Sequence, residues 1–134
     1  MHADASPWIE KAEGDYEGAI YLSKKKSKRI AHIICFSCQQ AAEKYLKAYL
    51  VEKDIRFSKT HFLKRELLPL CEKVDSEFKV LTSYLEALDP YSVEFRYPGE
   101  EISGDDVRIA VVAVKKVRKF IRGKLGLEKQ RRLL

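Results

Sequence analysis

No apolar run in the chain approaches the roughly 20 residues needed to span a bilayer, so no membrane association is expected. The first residues, Met1-His-Ala-Asp-Ala-Ser6, lack the basic and apolar stretches of a signal peptide, which points to a cytoplasmic protein. Glycine and proline are scarce, six and four among 134 residues. That argues against the many turns of a small all-β fold. The three cysteines, Cys35, Cys38 and Cys71, are an odd number and a poor basis for a disulfide framework. There is no phosphate-binding glycine loop, no His-Glu-x-x-His and no Gly-x-Ser-x-Gly elbow. The Glu-x-x-His pair that builds di-iron sites in helical bundles is missing too.

What is present suits one folded domain over 1–134, with 46% hydrophobic and 34% charged residues. The net charge is +6, and its excess is concentrated in Lys115, Lys116, Arg118, Lys119, Arg122, Lys124, Lys129, Arg131 and Arg132. Such a bias permits a polyanionic partner; a solvated lysine-rich face explains it as well.

Apolar residues recur at three- and four-residue intervals along most of the chain, which predicts an all-α, antiparallel up-and-down bundle of four or five helices. Helix 1 is expected from about Ser6, as N-cap, to Lys26, with Pro7 in its first turn. Gly14 and Gly18 lie four apart on one face, either for close backbone approach or as tolerated surface glycines. Helix 2, about Ile30 to Lys53, carries a stripe of Ala31, Cys35, Cys38, Ala42, Leu46 and Tyr49, widened by Ile34, Ala41, Tyr45 and Ala48. So broad a stripe makes it central, with Gln40, Glu43, Lys44 and Lys47 on the remaining face. Thr60 could cap a third helix, whose inner face is Leu63, Leu67, Leu70, Cys71 and Val74, and which Pro69 should kink or split. Helix 4 is predicted over about Ser76 to Leu88. Helix 5 begins near Asp105, with a seam of Val107, Val111, Val114, Val117, Ile121 and Leu125 and a basic stripe of Arg108, Lys115, Lys119 and Arg122. The tail from about 127 to 134 should fray. Between helices 4 and 5, Asp89–Gly104 is long, aperiodic and rich in aromatics, which suggests a packed functional loop.

Three constellations could carry chemistry. His32-x-x-Cys35-x-x-Cys38, completed by Cys71 or His61, has the residue types of a zinc site, but these cysteines occupy core positions, so neither metal nor cofactor is expected. His61 follows Thr60, where its ring could bond loop backbone and fix the start of helix 3, or act as a general acid–base. The loop residues Tyr91, Arg96 and Tyr97, joined by Lys44, suit a nucleotide or RNA. Arginine offers a planar fork to phosphate, and tyrosines stack on bases. Alternatively, Arg96 pins the loop by pairing with Glu94, Glu43 or a helix C-terminus.

Four segments together resemble the HEPN domain family. These are Ala12-x-x-Asp15-Tyr16, then Cys38-Gln-Gln-Ala-Ala-Glu-Lys-Tyr-Leu-Lys-Ala48, Thr60-His61-x-Leu63, and Arg96-Tyr97-Pro98. The resemblance implies a helical bundle, often a homodimer, frequently encoded beside a minimal nucleotidyltransferase as a toxin–antitoxin pair. Many such proteins are metal-independent RNases with an Arg-x(4–6)-His motif near the last helix, while others bind nucleotide or serve as non-catalytic partners. Here no histidine follows Arg96 at that spacing. Arg56 precedes His61 by the bare spacing, but between helices 2 and 3. The expected function is therefore a non-catalytic or degenerate member that binds nucleotide, RNA or a nucleotidyltransferase. The alternatives are a dimeric RNase using His61 with Arg56 or Arg96, and a structural interaction module.

Overall fold

The computed structural model describes residues 3–93 and 98–127, and among them every regular element is helical. The elements are α1 (Ser6–Ser23), α2 (Ala31–Glu52), α3 (Leu68–Val74), α4 (Thr82–Leu88) and α5 (Gly104–Lys124). Short 3-10 turns at Ala3–Ala5, Lys28–Ile30, Ser76–Leu81 and Asp89–Tyr91 and a wide i→i+5 turn at Leu63–Leu67 lead into or link them. The bundle is antiparallel, and α2 is its axis, touching α1, α5, α3 and α4. One contiguous apolar core includes Tyr45, Leu46, Leu63, Leu67, Phe78, Leu85, Val114 and Ile121, all fully buried.

Of the five α-helices, α5 has a side-chain N-cap and the other four do not. At α5 the Ser103 hydroxyl accepts the Asp106 backbone N–H at 3.1 Å, while the Asp106 carboxylate accepts the Ser103 N–H at 2.9 Å. This reciprocal box satisfies two donors that the helix leaves open. At α1 the expectation fails: Ser6 is already helical, and the N-cap is Ala5, which has no side-chain cap.

The segment after Thr60 departs further from ideal spacing. Leu63–Leu67 winds as a π-turn, with the Leu67 and Leu68 N–H groups reaching back to Phe62 and Leu63. Helix α3 proper starts at Leu68, placing Pro69 in the first turn, where its missing N–H costs nothing. The extra residue per turn rotates α3 about its axis. Leu68 goes into the core, Leu70 is only half-buried and Val74 is 40% exposed, unlike the inner face expected from a continuous helix. On α5 the buried seam is Ala110, Ala113, Val114, Val117 and Ile121, with Val107, Val111 and Leu125 on its flanks.

Gly14 and Gly18 resolve to the plainer of their two readings, because a methyl group added at either meets nothing within 4 Å. Each glycine then only weakens α1 through backbone entropy. Gly14→Ala and Gly18→Ala should each stabilise the fold by about 1 kcal/mol, seen as a rise in the thermal midpoint. A fall would mean that the face is covered.

Candidate functional site

Helix α2 is buried nearly all round, and this changes the role of its polar residues. Gln39, Glu43 and Lys47 repeat every four residues and so share one face. Their residue exposures are 0%, 5% and 6%. The expectation that Glu43 and Lys47 belong to a solvated face is corrected here. Both the α3 approach and the Trp8–Phe57 pair cover that face, so the polar groups must satisfy one another. The Lys47 ammonium donates to Glu43 Oε2 at 2.9 Å, and lies 5.7 and 5.6 Å from the Trp8 and Phe57 ring centroids. Gln39 Nε2 donates to Glu43 Oε1 at 3.3 Å and to the His61 backbone carbonyl at 3.1 Å, while Gln40 Nε2 donates to Gln39 Oε1 at 2.8 Å.

His61 completes the network from outside. Its Nδ1 lies 2.9 Å from Glu43 Oε1, yet its side chain is 63% exposed. Burial alone would push the Glu43 carboxyl up. Hydrogen bonds and charge from Lys47 and His61 outweigh that and hold it below the ordinary carboxylate range. An ionised carboxylate only accepts, so the His61 Nδ1 must carry the proton and donate it. The outward Nε2 is then the nitrogen left to accept a proton and, once protonated, to donate to an anion, the arrangement that a buried carboxylate imposes on a histidine.

The start of α3 is not fixed by the His61 ring. Asp89, directly after the last residue of α4, holds the turn that leads into α3, accepting the Leu63 N–H at 2.8 Å and the Lys64 N–H at 3.2 Å. Thr60 Oγ1 accepts the Phe62 N–H at 3.1 Å. Asp89 also opens the loop leading to Arg96, so the root of that loop is tied to the backbone two and three residues after His61. Tyr91, in the turn after Asp89, is half-buried against the core. Glu94, Arg96 and Tyr97 lie outside the described residues.

A second polar cluster ties α1 to α2 and α5. Glu13 receives Arg118 Nε at 3.2 Å and Nη2 at 3.0 Å, Arg122 Nη1 at 3.2 Å and the buried Tyr45 hydroxyl at 3.0 Å. Arg118 also stacks 4.6 Å over the Tyr16 ring. Burial alone would raise the Glu13 carboxyl; Arg118, then Tyr45 and Arg122, hold it below its ordinary value. Burial likewise raises the Tyr45 hydroxyl, with the Glu13 charge adding to the effect. Arg122 therefore leaves the expected basic stripe, its side chain only 14% exposed, because it faces Glu13. Arg108, Lys115 and Lys119 remain exposed.

Lys44 pairs with Asp15 of α1. Cys35, Cys38 and Cys71 are buried core residues, and burial pushes the Cys71 thiol up to about 12. Among the described residues no group of three or more His, Cys, Asp or Glu is placed to hold a metal ion. Nor is any helix among them long and apolar enough to cross a membrane.

The HEPN domain family model matches residues 5–124. Two crystal structures share the fold. One is ST0689, an archaeal HEPN homologue, at 20% identity and TM-score 0.69, covering 90% of this chain and 96% of that one. The other is TT1696 from Thermus thermophilus, at 22% identity and TM-score 0.70, covering 92% and 99%. No curated protein matches the chain. With the family match running from the turn before α1 to the last residue of α5, the chain belongs to the HEPN domain family.

Proposed function

We propose that this HEPN protein binds a nucleotide or an RNA phosphate on the surface around His61, continued by the loop that carries Tyr91, Arg96 and Tyr97. The observation behind this reading is the exposed imidazole held at one nitrogen by the buried Glu43. A side chain oriented by a buried carboxylate, with its other nitrogen turned to solvent, is positioned for a ligand more than for packing. Supporting this reading, Asp89 at the root of the Arg96 loop bonds the backbone of Leu63 and Lys64, shortly after His61. The family resemblance adds a minimal nucleotidyltransferase partner, a toxin–antitoxin-like pairing and a homodimer to the proposal. Titration of a labelled 5′-phosphorylated RNA oligonucleotide and of ATP should give saturable binding to at least one of them. That binding should weaken about tenfold, near 1.4 kcal/mol, in His61→Ala and in Arg96→Ala with helicity retained. Unchanged binding in both variants would remove the site.

A second reading is favoured by the hydrogen-bond direction at His61. With Nδ1–H donating to Glu43, the neutral ring presents Nε2 as a base able to take the 2′-hydroxyl proton of RNA. Metal-independent cleavage, persisting in EDTA and abolished in His61→Ala, is its expected signature. Cleavage that survives this substitution would sink the nuclease reading while leaving the binding one standing.

A further inference from the structure

Beside the N-terminal end of α2, a groove of about 570 Å³ opens between the α1–α2 connection and the first half of α5. Its floor and walls include Ala31, Ile34, Ile102, Val107 and Val111, with the 44%-exposed Val112 at the mouth. Lys26, Lys28, Arg108 and Lys115 stand on the rim, and no acidic or aromatic side chain lines it. Among the described residues no carboxylate pairs with Lys26, Lys28 or Lys115, while Arg108 reaches only the exposed Asp105, at 3.4 Å. Lys26 holds a left-handed backbone, φ 53°, where glycine or asparagine would end α1 with less strain.

We infer that this groove binds a small aliphatic anion, an acyl chain carrying a terminal carboxylate, with the chain over the valine floor and the head among the rim cations. Three features select that chemistry. The volume lies in the range of small-molecule sites, whereas a stable protein partner covers roughly 800 Å² of surface on each side. Apart from the Ser23 and Ser27 hydroxyls, the lining inside the charged rim is aliphatic, so it gives a nucleobase no ring to stack on. Finally, the rim carries four cations, of which Arg108 alone is ion-paired. They leave the mouth net positive even with Glu100 and Glu101 lining the adjoining cavity beside Lys28, which favours an anion and disfavours a cation of the same length. Val107 and Val111 are only half-buried at the edge of the core seam, so an alkyl chain there removes further apolar surface from water.

Calorimetric titration of the full chain with decanoate, below its micelle-forming concentration, tests this. Saturable binding is expected, with decyltrimethylammonium binding at least about tenfold more weakly. The double variant Lys28→Glu/Lys115→Glu, which changes only exposed side chains, should lose about tenfold in decanoate affinity and keep its fold. Val111→Trp, which fills the groove, should lose binding with helicity intact. His61→Ala should leave decanoate affinity unchanged, which separates this site from the His61 surface. Absence of saturable binding, equal affinity for the cationic probe, or insensitivity to the charge reversal would overturn the proposal. So would loss of decanoate binding in His61→Ala or its displacement by RNA.

Discussion

Glu43→Ala should lower the free energy of unfolding by about 3–5 kcal/mol, the range for removing one partner of a buried ion pair, read as a shift in the urea midpoint. The substitution leaves the Lys47 ammonium, with a side chain only 8% exposed, among Trp8 and Phe57 without a counter-charge. Cation–π attraction from two rings near 6 Å recovers only a part of that, on the order of 1–2 kcal/mol. Gln39 loses one acceptor and His61 loses its orienting partner in the same step. The companion Glu43→Leu/Lys47→Met removes both charges and keeps the volume, so it should recover most of the stability lost by the single change. If the double variant is no more stable than Glu43→Ala, the pair is not the source of the loss. Restored stability with RNA or nucleotide binding still lost would separate the structural role of Glu43 from its role in holding His61.

Glu13→Ala should cost about 2–3 kcal/mol, less than the full buried-pair value because the Glu13 side chain is 25% exposed and partly screened. Two guanidinium groups and the Tyr45 hydroxyl converge on this one carboxylate, so a single substitution removes an acceptor from three donors. Glu13 and Glu43 also set the acid limb of stability. Both carboxyls are held below the ordinary carboxylate value by their cationic partners. The native state therefore binds fewer protons than the unfolded chain near the ordinary carboxylate range. The stabilisation is fully present above about pH 4.5 and lost as pH falls through the lowered native values. Thermal midpoints recorded from pH 7 to pH 3 should fall steeply on the acid side, and more gently in Glu13→Gln. An unchanged slope in that variant would mean that other carboxylates govern acid unfolding.

Much of this fold was legible from periodicity. The 3-4 spacing of Phe78, Leu81, Leu85 and Leu88 marks a buried face whether the backbone is 3-10 or α, so all four are in the core although Ser76–Leu81 is not α-helical. The π-turn before Pro69 was not legible, because winding with one extra residue follows from packing rather than residue type. That hidden residue turned Val74 outward and Leu68 inward. The site was the hardest part to read. A four-residue repeat of Gln39, Glu43 and Lys47 within an otherwise apolar helix was the available signal, and a surface helix gives the same pattern. Only the packing around α2 separates the two cases.

The amino-acid order alone determined the helical class, the central place of α2, the burial of the three cysteines and the family. Each rests on local spacing or on motif residues that every copy of the sequence carries. Tertiary structure decided which charges are solvated. It set Glu43 beneath His61, turned Arg122 toward Glu13, paired Lys44 with Asp15 and anchored the loop through Asp89. The partners in these pairs lie 18 to 109 residues apart in sequence. An ion pair across such a separation depends on how the helices are placed in space, which no local pattern encodes. Burial then makes each of these contacts obligatory, since a polar group taken out of water must find its partner inside the protein.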